Sequence, residues 1–251
     1  MSQDTQFAGK VAVVTGAGTG MGADTAMLLA ERGARVTLVG RREAPLREVE
    51  ARIRAVGGEA LVAPADVSVP AEVERFVAAT VERFGALHYA VNNAGISSES
   101  HDLPELPDAV WDQTLAINLS SLFYCMRAEL PGIERAGGGA IVNVSSIFAD
   151  RGLPLRAAYS ASKHAIRGLT RSTALDWAAR GIRINELQPG VIETPMTANG
   201  GDEENARIVE AVAAKRKGSG REIATAVAFL LSDEASYVTG AHLAVDGGFL
   251  A

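Results

Sequence analysis

The sequence predicts an α/β fold, a doubly wound sheet of seven parallel strands with helices on both faces. Short runs rich in β-branched residues alternate with longer amphipathic stretches along the chain. Most of the short runs are continuously apolar, which is typical of strands that are covered on both faces. Repeated strand, helix, strand order favours a parallel sheet with right-handed crossovers. Because the chain has 251 residues and no linker-like tract, we expect one domain spanning residues 1–251.

The elements follow one another in a regular order. The apolar runs predicted as strands are Val11–Thr15, Arg35–Val39, Ala60–Ala63, His88–Val91, Ala140–Ser145, Arg183–Leu187 and His242–Val245. The stretches with helical apolar spacing are Met21–Arg32, Glu43–Val56, Pro70–Phe84, Ala109–Ala136, Ala157–Arg180 and Glu222–Ser232. The remaining long stretch, around 194–220, is polar and glycine-rich with a short helical patch. We expect this stretch to order as a lid over a bound substrate.

The composition argues against several classes of function. The formal net charge is −6 and the arginines are scattered, so no basic face for nucleic acid is expected. No apolar run approaches the ~20 residues that span a membrane, and residues 1–10 do not resemble a signal peptide, so we expect a cytoplasmic protein. The single cysteine, Cys125, is expected to be a small buried hydrophobe. The four histidines lie far apart in the sequence, so no metal site is expected.

A glycine-rich turn follows the first predicted strand. Residues 15–22 are Thr-Gly-Ala-Gly-Thr-Gly-Met-Gly, and a helix begins within them. Glycines allow a tight turn and close approach of the backbone to a pyrophosphate, and the helix N-terminus offers unpaired N–H groups. Many turns need glycine for backbone reasons alone, so it is the position between strand and helix that favours phosphate binding. The sequence therefore predicts a Rossmann-type dinucleotide site beyond the carboxyl ends of the strands.

The end of the second strand predicts which dinucleotide binds. That strand is followed by Gly40, Arg41 and Arg42. A carboxylate at this place would bind the adenosine ribose diol of NAD, whereas guanidinium groups suit the 2′-phosphate of NADP. Solvated arginines are the alternative explanation, but cations are mildly disfavoured at the helix N-terminus that follows. We therefore expect NADP(H) in preference to NAD(H).

Two later turns are candidates for cofactor contacts. Asp66 follows the third strand, where its carboxylate could accept a hydrogen bond from the adenine amino group while Val67 packs on the ring. An aspartate at a strand end is as often a turn former or a helix cap. Residues 92–95, Asn-Asn-Ala-Gly, follow the fourth strand. They would let the backbone lie against the cofactor, and a plain turn explains them nearly as well.

A tyrosine and a lysine are the candidates for the chemistry. Tyr159 and Lys163 are four residues apart, hence on one face of a helix. The ammonium and the positive ring of an oxidised nicotinamide would both favour the phenolate, so Tyr159 is a candidate proton donor and acceptor. Such a pair alone is common by chance. Ser146 ends the fifth strand, where its hydroxyl could bind a substrate oxygen, and Asn118 lies mid-helix, which predicts a local distortion with a bound water.

Together these motifs resemble the short-chain dehydrogenase/reductase family, in its shorter single-domain branch. The resemblance extends from Lys10 to Gly248 and covers nearly all of the chain. It rests on the spacing of Gly16, Gly20 and Gly22, the Asn-Asn-Ala-Gly stretch, Asn118, Ser146, Tyr159, Lys163, and Pro189-Gly190 with Thr194. It implies hydride transfer between a nicotinamide dinucleotide and a carbonyl or alcohol.

The resemblance also implies roles for individual residues. Tyr159 would be the acid/base, Ser146 would hold the carbonyl oxygen, and Asn118 would anchor a water in a proton relay. Lys163 would bind the nicotinamide ribose and lower the pKa of Tyr159, with Ile192 and Thr194 at the carboxamide. The full predicted cofactor set is Gly16, Gly18, Thr19, Gly20, Met21, Gly22, Arg41, Arg42, Asp66, Val67, Asn93, Ala94, Gly95, Tyr159, Lys163, Pro189, Gly190, Ile192, Thr194 and Met196. The family further implies a homotetramer or homodimer paired through the two long helices.

Two stretches depart from the pattern of the family. Residues 217–222 replace a Pro-Glu-Glu-containing run before the last helix, and Glu186-Leu187-Gln188 stands where small apolar residues are more usual. Both lie outside the catalytic set, so they bear on substrate and packing. We expect the substrate pocket to involve residues 97–103, 147–156 and 196–217. The apolar side chains in these segments, Phe148, Leu153, Leu155 and Met196, favour a hydrophobic ketone or alcohol.

Three other functions are compatible with a glycine turn on such a sheet. A non-catalytic dinucleotide sensor or scaffold would need no acid/base set, and neither would a methyltransferase. The presence of Ser146, Tyr159 and Lys163 together argues against both. Epimerases and dehydratases of the same family are usually longer and carry a separate substrate domain. The sequence therefore favours an oxidoreductase.

Overall fold

The computed structural model describes residues 5–198 and 202–251. Within these residues seven strands form one parallel sheet in the order β3-β2-β1-β4-β5-β6-β7. The strands are β1 (Val11–Thr15), β2 (Arg35–Gly40), β3 (Glu59–Pro64), β4 (Tyr89–Asn92), β5 (Gly139–Val144), β6 (Ile182–Pro189) and β7 (His242–Val245). The predicted fold class and strands are confirmed, and the strand ends differ from the predicted ones by at most two residues.

Helices occupy the stretches between the strands. They are α1 (Gly20–Glu31), α2 (Glu43–Ala55), α3 (Pro70–Phe84), α4 (Asp108–Leu115), α5 (Ser121–Arg135), α6 (Ala157–Trp177), α7 (Pro195–Ala198), α8 (Asp202–Ala211) and α9 (Gly220–Leu231). The helix predicted over Ala109–Ala136 is interrupted by a π-helical turn, Ala116–Ser120, which separates α4 from α5. No helix in the described ranges is long and apolar enough to cross a membrane.

The helices cover the two faces of the sheet. On one face α1, α2 and α9 bury an apolar cluster that includes Leu28 and Val227. On the other face α3, α5 and α6 bury a second cluster that includes Phe76, Ile133 and the single cysteine, Cys125. Cys125 is thus buried, as predicted. The sheet is hidden on both sides, which explains why its strands are continuously apolar.

The strand order places the functional edge of the sheet. β1 pairs with β2 on one side and with β4 on the other, so the direction in which the sheet grows reverses between β1 and β4. Loops leaving β1 and β4 must then diverge to opposite faces, and a crevice opens beyond the carboxyl ends of these strands. The glycine turn and the Asn-Asn-Ala-Gly stretch both lie at this point.

A buried carboxylate lies between α5 and the centre of the sheet. Glu129 is 0% exposed, and its Oε2 accepts a hydrogen bond from Asn92 Nδ2 at 3.1 Å. Glu129 Oε1 and Asn92 Oδ1 have no hydrogen-bond partner among the described residues. Burial raises the pKa of Glu129 to about 7, against a smaller lowering by the hydrogen bond from Asn92. A protonated Glu129 has an O–H donor, so the neutral acid suits this site better than the carboxylate does.

We expect Glu129→Gln to stabilise the protein at pH 8 and to leave its stability nearly unchanged at pH 5. The pKa in the folded state lies above the ordinary value of 4.5, so the unfolded chain loses the Glu129 proton first as the pH rises. The parent therefore loses stability between about pH 4.5 and pH 7. The loss amounts to roughly 3 kcal/mol, since one pKa unit corresponds to about 1.4 kcal/mol.

Urea unfolding at both pH values measures this difference in the free energy of unfolding. Glu134→Gln is the matched control, because Glu134 lies on the same helix but is exposed and paired with Arg180. Its curve against pH should run parallel to that of the parent. If Glu129→Gln also ran parallel to the parent, the raised pKa of Glu129 would be wrong.

Candidate active site

The glycine turn joins β1 to α1 and leaves no room for side chains. Gly16 and Gly20 have φ values of +67° and +54°, in the left-handed region that favours glycine. A Cβ on Gly22 would lie 2.2 Å from the carbonyl oxygen of Gly16. Thr19 precedes α1 without capping it through its side chain, so the Thr19 hydroxyl does not occupy the first N–H groups of α1. A bare helix N-terminus behind a close-packed glycine turn fits a pyrophosphate.

A cleft of about 490 Å³ opens in front of this turn. It is bordered by the carboxyl ends of four neighbouring strands. Residues predicted to bind the cofactor that line it are Gly16, Gly18, Thr19, Arg41, Arg42, Asp66, Val67, Ala94 and Gly95. The structure thus brings together residues that are up to 79 positions apart in the sequence. A concave, largely pre-formed site of this size suits an extended dinucleotide.

The two arginines after β2 stand exposed at the edge of the cleft. Arg42 precedes α2 without a side-chain cap, and the charge of Arg41 reaches Asp66 across the cleft. Hydrogen bonds from Ser68 lower the pKa of Asp66, and the charge of Arg41 adds to that lowering. Glu43, the next residue in sequence, accepts hydrogen bonds from Arg47 along α2. Glu43 is thus paired with Arg47 and not with Arg41 or Arg42. These two exposed arginines line the cleft, where their guanidinium groups can bind a phosphate.

Asp66 and Asn93 also have local structural roles. Asp66 Oδ1 accepts hydrogen bonds from the backbone N and the Oγ of Ser68 at 2.9 and 2.6 Å, so Asp66 forms a turn at the end of β3. Asn93 Nδ2 donates to the carbonyl oxygen of Thr15 at 3.0 Å. Asn93 therefore joins the end of β4 to the end of β1. Asp66 borders the cleft, while Asn93 braces the backbone beneath it.

Tyr159, Ser146 and Lys163 lie side by side next to the cleft. Ser146 follows β5 and is buried, and its side chain lies close enough to Tyr159, near the start of α6, to lower the pKa of that phenol. Lys163, also buried, donates from Nζ to the carbonyl oxygen of Val144 at 3.2 Å. Its Nζ lies 5.7 Å from the centre of the Tyr159 ring. The structure thus brings together three of the four residues predicted to carry the chemistry.

Burial has the largest effect on the pKa values of Tyr159 and Lys163. Burial raises the pKa of Tyr159 above its ordinary value, and the hydrogen bond with Ser146 and the charge of Arg156 only partly offset the rise. The sequence predicts a lowering from Lys163, and the net direction differs because desolvation of the phenolate outweighs nearby charge. Burial also lowers the pKa of Lys163 to about 8, with Glu186 opposing that change.

Asn118 lies in the π-helical turn between α4 and α5. Its Oδ1 accepts from the backbone N of Ile96 at 2.8 Å, and its Nδ2 donates to the carbonyl oxygen of Ile96 at 3.0 Å and to Ser162 Oγ at 3.2 Å. The distortion that a mid-helix asparagine predicts is therefore present. These bonds join the loop after β4 to α6 close to Lys163, since a Cβ on Gly95 would lie 3.6 Å from Lys163 Nζ.

Thr194 contacts the glycine turn from the opposite side. A Cβ on Gly20 would lie 3.1 Å from Thr194 Cγ2. Ile192 pairs with Gly218 in a short parallel bridge, so the predicted lid is held at both of its ends. Met21, in contrast, packs against the hydrophobic core.

The rest of the predicted cofactor set lies at the end of β6 or cannot be placed. Pro189 is the last residue of β6. A Cβ on Gly190 would lie 2.6 Å from the Cα of Asp246, so Gly190 packs against the backbone that follows β7. The Met196 side chain lies outside the described part of the structure.

Two phenylalanine rings, Phe148 and Phe249, form an aromatic wall beside Tyr159. The ring of Phe148 meets the rings of Tyr159 and Phe249 edge-on, with centres 6.5 and 6.3 Å apart. Arg156 donates to Ser97 Oγ at 3.0 Å, so two of the three predicted pocket segments touch. Phe249 is absent from the predicted site. It follows no catalytic motif, and only its aromatic character near the end of the chain could have indicated it. In the ranges described, no three His, Cys, Asp or Glu side chains are grouped to hold a metal.

Comparison with known proteins assigns the chain to a family. A family model described as enoyl-(acyl carrier protein) reductase matches residues 16–250. The chain is 43% identical over 244 residues to cyclohexanol dehydrogenase of Acinetobacter sp. (strain SE19), covering 97% of this chain and 96% of that protein. It is 40% identical over 253 residues to the short chain dehydrogenase/reductase astE of Aspergillus oryzae (strain ATCC 42149 / RIB 40), covering 98% and 97%. The crystal structure of levodione reductase matches with a TM-score of 0.93 at 36% identity, covering 96% of this chain and 98% of that one. The chain therefore belongs to the short-chain dehydrogenase/reductase family of nicotinamide-dependent oxidoreductases.

Proposed function

We propose that the protein is an NADP(H)-dependent oxidoreductase that transfers hydride between the cofactor and an apolar cyclic ketone or secondary alcohol. The observation that carries this proposal is that Ser146, Tyr159 and Lys163 lie together beside a dinucleotide-sized cleft, with the ring of Phe148 against the ring of Tyr159. A hydroxyl pair in that position can both hold a carbonyl oxygen and protonate it.

The cleft residues would divide the cofactor among them. The backbone of the glycine turn and the N-terminus of α1 would bind the pyrophosphate, and Arg41 and Arg42 would bind the 2′-phosphate. Asp66 and Val67 would lie at the adenine, and Ile192 and Thr194 at the carboxamide. The bound nicotinamide would supply the hydride in reduction and accept it in oxidation. Lys163, whose pKa is about 8, carries its charge at neutral pH and would bind the ribose hydroxyls.

The protein residues would handle the proton. In reduction, Ser146 Oγ donates a hydrogen bond to the carbonyl oxygen, and Tyr159 Oη transfers its proton to that oxygen as the carbonyl carbon gains the hydride. The phenolate then regains a proton from solvent, so charge and atoms balance. Burial raises the pKa of Tyr159 and keeps the phenol protonated at neutral pH, which favours its role as a proton donor. We propose that Asn118 anchors a water in the path by which that proton returns.

The substrate class follows from the wall and from the relatives. Phe148 and Phe249 present aromatic surface beside Tyr159, which suits an apolar ring better than a charged substrate. One relative is named for cyclohexanol, a secondary alcohol on a six-membered ring. We therefore infer that substituted cyclohexanones and the corresponding cyclohexanols are the substrates to test first.

The test is consumption of NADPH, followed by absorbance, with a panel of cyclic ketones, open-chain ketones and aldehydes. We expect the fastest turnover with a cyclic ketone, and slower turnover with NADH. Turnover confined to short aldehydes would contradict the substrate class. Tight NADPH binding with no turnover on any carbonyl would favour the alternative of a dinucleotide sensor or scaffold.

Two wider features belong to the same proposal. We propose that the segment 194–220 of this single domain closes over the substrate as a lid. We also propose a homotetramer or homodimer paired through α5 and α6, on which Phe123 and Leu175 are exposed. A crystal structure with NADPH and a ketone tests the lid, and an open segment 194–220 above a bound ketone would contradict it. The molecular mass in solution tests the pairing, and a monomer would contradict it.

A further inference from the structure

Two polar residues of β6 are buried inside the sheet. Glu186 and Gln188 are 1% and 0% exposed, on a strand flanked by β5 and β7. A buried carboxylate and a buried amide destabilise a fold unless hydrogen bonds satisfy them. Their partners therefore indicate what these two side chains do, and both sets of partners lead to the segment that carries Ser146.

Glu186 connects β6 with the catalytic helix. Its Oε1 accepts a hydrogen bond from Ser145 Oγ at 2.5 Å, and its Oε2 accepts from Arg167 Nε at 3.0 Å. Arg167 follows Lys163 by four residues and so lies on the same face of α6. The residue just before Ser146 and the helix that carries Lys163 are thereby held on one carboxylate.

Arg167 and Gln188 meet on a second carboxylate, that of Asp150. Both terminal nitrogens of Arg167 donate to Asp150, one of them to Oδ2 at 3.0 Å, in the two-point geometry that guanidinium and carboxylate favour. Gln188 Nε2 donates to the same Oδ2 at 2.9 Å and to the carbonyl oxygen of Ser146 at 3.4 Å. The hydrogen bond from Arg167 lowers the pKa of Asp150 to about 2, so its carboxylate stays charged at neutral pH.

The amide of Gln188 has only one acceptable orientation. A flipped amide would aim its carbonyl oxygen at the Asp150 carboxylate, and two acceptors would then face each other. The observed orientation leaves Gln188 Oε1 without a hydrogen-bond partner among the described residues. The Gln188 amide therefore has an unsatisfied oxygen, while its nitrogen is hydrogen-bonded to both Ser146 and Asp150. These two residues are the ends of a five-residue turn.

That turn, Ser146–Asp150, carries two of the groups that lie next to Tyr159. Ser146 Oγ accepts from the backbone N of Phe148 at 3.2 Å, and the Phe148 ring contacts the Tyr159 ring. We propose that Gln188 is a positioning residue, which clamps the turn Ser146–Asp150 so that Ser146 Oγ and Phe148 are aligned with Tyr159. This inference rests on the proposed function of Ser146. Small displacements of a group that binds the reacting atom lower the rate strongly.

The test combines Gln188→Met, which keeps the size of the side chain but removes its donors, with Ser146→Ala. We expect Gln188→Met to speed amide hydrogen exchange in peptides that cover residues 145–150, with NADPH binding unchanged. It should lower kcat about tenfold in the parent and by less than about twofold in the Ser146→Ala background, because two residues that act through one another are not additive. Asp150→Asn, at the more exposed end of the clamp, should raise exchange in the same peptides.

The control is Arg180→Met, which removes an exposed ion pair with Glu134 far from the turn in sequence. It should change neither the exchange of residues 145–150 nor kcat. Unchanged exchange in Gln188→Met, or an equal loss of kcat in both backgrounds, would overturn the proposal. If the parent reduces no carbonyl compound, the proposed function fails by itself, and the exchange experiment still decides whether the clamp exists.

Discussion

Replacing Tyr159 by phenylalanine should lower turnover by roughly 10²–10⁴-fold, the range typical for loss of a positioned acid or base. The change removes only Oη, the atom proposed to donate the proton. The ring remains, so its edge-on contact with Phe148 and the aromatic wall should persist. Binding of NADPH, measured by fluorescence without substrate, should therefore change by less than about threefold.

The matched control is Tyr89→Phe. Tyr89 is a buried tyrosine, but it is the first residue of β4 and so lies at the amino edge of the sheet, opposite the cleft. Loss of its hydroxyl should leave turnover within about twofold of the parent. If Tyr159→Phe were as active as Tyr89→Phe, the proposed mechanism would be wrong.

The two directions of the reaction should respond differently to pH in the parent. Alcohol oxidation needs the Tyr159 phenolate, and burial raises the pKa of this phenol. Oxidation should therefore quicken as the pH rises from neutral toward the pKa of Tyr159, whereas reduction uses the protonated phenol and should not gain. In Tyr159→Phe the residual oxidation should lose this rise.

The fold is predictable because its rules act over short stretches of sequence. The apolar run Val11–Thr15 is a strand that helices cover on both faces, and the glycines after it are required where they stand, since Gly22 packs on the Gly16 carbonyl. Asn118 is informative for the same reason. Its amide side chain competes with the helix backbone for hydrogen bonds, which predicts a distorted helix, and the structure has a π-helical turn at this residue.

What the sequence does not reveal depends on partners distant in the chain. The sequence predicts that β6 ends at Leu187, because a glutamine is unusual at a buried strand position. The strand continues to Pro189, and Gln188 is accommodated there because its amide donates a hydrogen bond to Asp150. Phe249 joins the wall only because the fold returns the end of the chain to Phe148. The raised pKa of Tyr159 likewise depends on burial, which the spacing of Tyr159 and Lys163 cannot show.

Removing both arginines at the end of β2, in Arg41→Ala/Arg42→Ala, should weaken NADPH binding by roughly 10–10³-fold. A hydrogen bond to a charged group contributes about 1.5–3 kcal/mol, and both guanidiniums border the cleft. NADH has no 2′-phosphate, so its affinity should change by less than about threefold. Fluorescence titration of each cofactor measures the two affinities, and kcat/KM for each gives the preference.

A control arginine variant and a series of salt concentrations distinguish specific binding of the 2′-phosphate from general attraction between charges. Arg52→Ala removes an exposed arginine from the last turn of α2, and it should leave the ratio of NADPH to NADH affinity unchanged. Because Arg41 and Arg42 are exposed, their advantage should shrink as salt is added, since charges are screened over about 10 Å at 0.1 M. Arg41→Asp should go further and favour NADH, since a carboxylate there can accept hydrogen bonds from the ribose diol. Equal affinity of the parent for NADPH and NADH would mean that these arginines are surface residues and that the cofactor preference proposed from them is wrong.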